Sequence, residues 1–177
     1  MKIVVDASTF ISLAKIGNLH ILLNLRSALF IPYEVYEEAV IAGERKKVPD
    51  ATIIKQFVRS NNIKTIKARD SSIRKLFSML KKRLTKGDSA ALALSVQEEV
   101  EVLITDDEGL GKIAMTLGFK VMASPDLLLQ SLKEGFIGFT EFEKNIRLLV
   151  IENRLSPVVA ELYMMEGKEH VENKKNG

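Results

Sequence analysis

Apolar positions in this chain fall into two kinds of run. Short stretches rich in β-branched and bulky apolar residues, at Lys2–Val5, Ala28–Ile31, Ile63–Ile66, Val100–Thr105 and Phe119–Met122, predict five strands. Between them apolar residues recur three and four apart, the helical spacing. Ser8 is placed to cap a helix over 9–16 that Gly17 ends, and a second helix follows Asn18. Pro32 opens a helix from Tyr33 to Ala42, with Gly43 as its stop, and Asp50 caps the next. Ile73, Leu76, Phe77 and Leu80 form the stripe of a basic helix; a small-residue helix runs through Ala90–Leu94, and another covers Leu110–Leu117. Strands alternating with helices imply right-handed crossovers and a parallel sheet. After Pro125 the strand signals nearly vanish. Helices are expected at 126–134, 141–151 and 156–165, with a frayed tail after Gly167.

Composition narrows the chemistry. The 177 residues suit one domain with a small appendage, and 46% hydrophobic and 28% charged residues are ordinary for a globular protein. No apolar stretch reaches the roughly 18 residues of a membrane span, and the N-terminus lacks a signal peptide's basic head, so a cytoplasmic protein is expected. The chain has no cysteine and two histidines, His20 and His170, which excludes disulfides and a thiol nucleophile and argues against zinc. The net charge of +3 is uneven. Between Lys67 and Lys86 eight basic residues face one acid, Asp70, leaving the rest of the chain net acidic. Such a run is either a solvated helix face or a phosphate-binding edge. Its leading into Lys86-Gly87-Asp88 favours the second as much as the first. Arg74, Lys75, Lys81, Lys82, Arg83 and Lys86 are its candidate phosphate contacts.

Two of the predicted strands stop on carboxylates. The first ends at Asp6 and the fourth at Asp106-Asp107. Ligands of open α/β sheets gather beyond the carboxyl ends of the strands. If strands one and four are neighbours, about 4.8 Å apart, Asp6 and Asp107 can share an ion. Asp88, after a glycine at a helix start, and Glu38, near the apolar side of its helix, are further candidates. Each has a plainer reading as a cap, a turn former or a flank residue. Oxygen donors without His or Cys select Mg²⁺ or Mn²⁺. An acidic metal cluster beside a basic rim suits phosphodiester hydrolysis.

Four segments in order then resemble the PIN-domain family of metal-dependent ribonucleases, which includes toxins of toxin–antitoxin pairs. They are Val4-Val5-Asp6-Ala7-Ser8, Ile31-Pro32-Tyr33-Glu34-Val35-Tyr36-Glu37-Glu38, Lys86-Gly87-Asp88-Ser89-Ala90-Ala91-Leu92-Ala93 and Leu103-Ile104-Thr105-Asp106-Asp107. The stretch from Leu132 to Ile137 and Arg154-Leu155-Ser156-Pro157 resemble the extension of a prokaryotic subgroup of that family. The resemblance implies a three-layer α/β/α fold with a parallel sheet of about five strands over residues 1–122, and a helical extension over 123–177. It implies Asp6, Glu38, Asp88 and Asp107 as catalytic acids, with Asp106 as a second candidate for the last and Glu37 as an alternative to Glu38. Ser8 and Thr105 would support the cluster. Where Asp88 stands the subgroup has Glu, a longer carboxylate. The implied function is Mg²⁺- or Mn²⁺-dependent cleavage of single-stranded or structured RNA, with an antitoxin protein as partner and a homodimer as the assembly.

Two other classes compete. Receiver-like and phosphatase-like α/β proteins also place Asp at a strand end, but Ser8 occupies the second position of an Asp-x-Asp pair. A catalytically silent PIN-like module would bind RNA or an antitoxin, and acids at all four positions weigh against it. Gly109-Leu110-Gly111-Lys112 lacks the spacing of a nucleotide-binding loop.

Overall fold

A computed structural model of the chain describes residues 1–80 and 84–176. Five strands, β1 (Lys2–Val5), β2 (Ala28–Pro32), β3 (Lys64–Ile66), β4 (Val102–Ile104) and β5 (Lys120–Met122), form one parallel sheet in the order β3-β2-β1-β4-β5. The helices are α1 (Ala7–Lys15), α2 (Ile21–Asn24), α3 (Tyr33–Tyr36), α4 (Gly43–Arg45), α5 (Pro49–Ser60), α6 (Asp70–Leu80), α7 (Lys86–Gln97), α8 (Glu108–Thr116), α9 (Ser124–Lys133), α10 (Phe139–Ile151) and α11 (Pro157–Asn176). A π-helical stretch, Glu37–Ala42, joins α3 to α4.

Strand pleating sorts the core into two layers, because successive side chains point to opposite faces. Ile3, Val5, Leu29, Ile31, Val102 and Ile104 pack on one face with Phe10, Leu13, Ile54, Val58, Phe142 and Ile146 from α1, α5 and α10. Val4, Phe30 and Leu103 pack on the other with Ile73, Leu92, Leu94 and Leu110 from α6, α7 and α8. The three-layer α/β/α arrangement follows. The first core continues without a break past residue 122, taking in Leu127, Leu128 and Leu132 of α9 and Ala160 of α11. Chain progression runs outward from β1 through β2 to β3, then reverses to β4 and β5, so the switch point lies between β1 and β4. That is where an open α/β sheet leaves its crevice.

Several local expectations need correction. Helix α1 is capped by Asp6, because its side chain, and not that of Ser8, accepts the first free amide. The helix after Asn18 is a single turn, α2. Helix α5 begins at Pro49, with Val48 as its cap in place of Asp50. Gly43 does not stop its helix: it allows close approach, since a Cβ there would lie 2.6 Å from Cβ of Ala51. Beyond Gly167 the chain stays helical to Asn176, because a Cβ at 167 would lie only 2.5 Å from Cε1 of Phe142, so the helix is seated against α10 and does not fray at that residue.

Replacing Gly43 by Ala gains helix propensity but drives one methyl into another fixed to a rigid backbone. Gly43→Ala is expected to lower the unfolding free energy by about 1–3 kcal/mol in urea denaturation followed by circular dichroism. Unchanged stability would mean that α4 and α5 can part at no cost.

Candidate functional site

The site begins where β1 gives out. Asp6 keeps an extended backbone while Ala7 enters α1, and its carboxylate bends back over the helix start. The residue is only 4% exposed. Its Oδ2 accepts three hydrogen bonds, from the Ser8 amide at 3.2 Å, the Ser8 hydroxyl at 2.6 Å and the Thr105 hydroxyl at 3.0 Å. A hydroxyl has one proton to give, so both are committed to Asp6 and both oxygens remain as acceptors. Ser8 Oγ accepts the Asp106 amide at 2.9 Å, and Thr105 Oγ1 accepts the Asp107 amide at 3.0 Å. The turns after β1 and β4 are thus laced through one oxygen atom. These side-chain bonds all end on Oδ2, which leaves Oδ1 available to a ligand.

Two more carboxylates reach this crevice from other helices. Asp88 is the third residue of α7, where Thr85 is the N-cap: the Thr85 amide donates to Asp88 Oδ2 at 2.7 Å, and the Asp88 amide donates to Thr85 Oγ1 at 3.1 Å. This reciprocal capping box holds one Asp88 oxygen and fixes the side chain. Gly87 lies beneath Glu38, because a Cβ on it would come 2.6 Å from Glu38 Oε2. A side chain at 87 would displace the Glu38 carboxylate from its place over α7.

Electrostatics links the three. Burial pushes the Asp6 carboxyl above its ordinary value more than its Ser8 and backbone hydrogen bonds pull it down, and the Asp88 charge pushes the same way. Glu38 is raised by burial, then by the charges of Asp6 and Asp88. Glu38 is the acid whose Oε2 lies over Gly87 and on which the charges of Asp6 and Asp88 act, and both Glu37 and Glu38 line the neighbouring cleft.

The tandem acids after β4 separate in role. Asp106 spends both oxygens on Ser124 at the start of α9, accepting its amide at 2.6 Å and its hydroxyl at 2.7 Å. Asp107 caps α8, its Oδ1 accepting the Leu110 amide at 2.7 Å. Asp107 is exposed and retains its second oxygen, so of the pair it is the one open to a ligand. Its amide stands one hydroxyl away from Asp6, through Thr105.

The donor set of Asp6, Glu38 and Asp88 suits a hard divalent cation: all oxygen, partly buried and mutually repelling. Among the described residues no group of three or more His, Asp or Glu side chains is placed closely enough to grip an ion together. Mg²⁺ takes one or two protein carboxylates and keeps several waters, so acids arranged around one crevice still fit it.

Beside the acids opens a cleft of about 470 Å³ lined by Glu34, Glu37, Glu38, Arg45, Lys86 and Gly87. Lys86 stands exposed on its edge, and Arg74 and Lys75 are exposed on α6, which packs on α7. Lys81, Lys82 and Arg83 lie outside the described residues. Sequence reasoning passed over Glu34 and Arg45. Glu34 is 5% exposed, and its Oε2 has no hydrogen-bond partner among the described residues. Its place four residues before Glu38, on the same face, was the available signal.

The raised carboxyls have a thermodynamic consequence. A carboxyl whose folded-state value exceeds its unfolded value destabilises the fold fully at pH above the folded value; the penalty fades as pH falls from the folded value to the unfolded one and is absent below it. Glu38→Gln is therefore expected to raise Tm at pH 7 in chelator, with the gain shrinking toward pH 4. A Tm lowered at pH 7 would contradict the repulsion.

A family model described as a PIN domain matches residues 2–164. No curated protein matches the chain.

Proposed function

The chain belongs to the PIN-domain family, a family of nucleases, and on that premise we propose that it is a divalent-metal-dependent endoribonuclease. The observation that supports this most is the convergence of Asp6, Glu38 and Asp88 on the crevice at the β1–β4 switch point, where the Asp88 charge raises the proton affinity of Asp6 and the charges of Asp6 and Asp88 raise that of Glu38. Carboxylates in that state gain most from a cation.

In this reading Asp6, together with Glu38 or Asp88, would hold Mg²⁺ or Mn²⁺ through one or two carboxylates and the ion's own waters, with Asp107 at the start of α8 as a further candidate. When bound, the ion supplies a hydroxide nucleophile at neutral pH and neutralises charge on the scissile phosphate. Ser8 and Thr105 keep Asp6 oriented and ionised by donating to Oδ2. Lys86, at the edge of the acidic cleft, and Arg74 and Lys75 on α6 contact backbone phosphates, which gives affinity without base selectivity.

Cleavage of a fluorescent mixed-sequence RNA is expected with Mg²⁺ or Mn²⁺ and is abolished by EDTA. Asp6→Asn should reduce it by more than the roughly 10–100-fold that changes around a metal ligand bring, with an unchanged circular dichroism spectrum. Cleavage retained in that variant would reject the assignment. Lys86→Ala combined with Arg74→Ala should weaken RNA binding at each salt concentration and flatten the slope of log K against log salt by about 2.

A further inference from the structure

We infer that Arg154, at the turn between α10 and α11, is a positioning residue that sets the Asp6-bearing turn; its catalytic consequence rests on the nuclease reading above. Arg154 donates from Nε to Ser12 Oγ at 2.8 Å and from Nη2 to the Ser8 carbonyl at 3.0 Å. Ser12 Oγ donates to the same Ser8 carbonyl at 2.9 Å, so guanidinium, hydroxyl and carbonyl form a closed triangle. Ser8 is the residue whose amide and hydroxyl hold Asp6 Oδ2. The residue that carries those two donors is therefore held through its carbonyl by a side chain 146 positions away.

The clamp is itself rigidly mounted. Asn153 takes a left-handed φ of 54°, its amide bonds Val150 O at 3.0 Å, and the Arg154 amide bonds Leu149 O at 2.8 Å. This is the Schellman ending of α10, which fixes where Arg154 leaves the backbone. The preceding residue, Glu152, pairs with Lys15 at 3.0 Å and so holds the other end of α1. Support of α1 alone does not account for Arg154, because a cation near a helix N-terminus opposes the helix dipole. Among the described residues Arg154 forms no salt bridge, and both of its hydrogen bonds go to neutral oxygens of the Asp6 turn.

Asp106 makes a matching contact from the other strand end, since both its oxygens bind Ser124 at the start of α9. The turns after β1 and β4 are thus each held by the chain beyond residue 122.

The test compares wild type, Arg154→Ala and Arg154→Lys in full-length protein. It uses RNA cleavage with Mg²⁺ and hydrogen exchange by mass spectrometry. Arg154→Ala is expected to lose roughly 10–100-fold in kcat, with KM within about two-fold. Faster exchange should be confined to residues 6–12, and added methylguanidinium should restore part of kcat. Arg154→Lys keeps the charge but not the two-pronged geometry and should fall between. Unchanged kcat, or a loss accompanied by faster exchange throughout α10 and α11, would overturn the inference. If the wild type cleaves no RNA, the nuclease reading fails, and exchange at residues 6–12 alone decides the role of Arg154.

Discussion

One carboxylate oxygen holds the two central strand ends of this protein in register. Asp6 Oδ2 takes both hydroxyl protons of Ser8 and Thr105, which turns those hydroxyls into acceptors for the amides of Asp106 and Asp107. Hydrogen bonds to a charged group are worth about 1.5–3 kcal/mol each, and leaving a buried partner unsatisfied costs comparable amounts. The ion is tolerated at 4% exposure only because these donors surround it. Its other oxygen is free, and two further acids stand within electrostatic reach. The polar network that closes the sheet at the switch point is also what presents Asp6 to a ligand.

Repulsion among Asp6, Glu38 and Asp88 is the cost of that arrangement, and it is imposed by packing. Glu38 is brought over α7 because Gly87 has no side chain to hold it off, and Asp88 is locked by the capping box with Thr85. Asp88 cannot swing away without undoing the start of α7. A site built this way favours whatever cation reduces the mutual charge. The exposed basic residues nearby, Lys86 foremost, lie outside the acidic group.

Much of this was legible in the sequence, for identifiable reasons. Apolar runs ending on Asp6 and Thr105-Asp106-Asp107 encode strand ends directly, and the β3-β2-β1-β4-β5 order brings them together as neighbouring strands. The resemblance to the PIN-domain family was carried by short motifs whose local chemistry the fold keeps. Sequence could not divide the tandem acids, because Ser124, which consumes Asp106, is 18 residues away and signals only a helix start. It misjudged Gly43 because a stop and a close approach both call for glycine, and only the position of Ala51 separates them. A core continuous through Leu128, Phe142 and Ile146, and the reach of Arg154 to Ser8, depend on tertiary packing that no local pattern records.

The most direct test of the central claim is anomalous diffraction from crystals soaked in Mn²⁺. Ligation by Asp6 Oδ1 and by at least one of Glu38 and Asp88, with Oδ2 still bound to Ser8 and Thr105, is the expected result. A well-diffracting soaked crystal with no manganese in this crevice, or with the ion bound only by acids elsewhere, would contradict it.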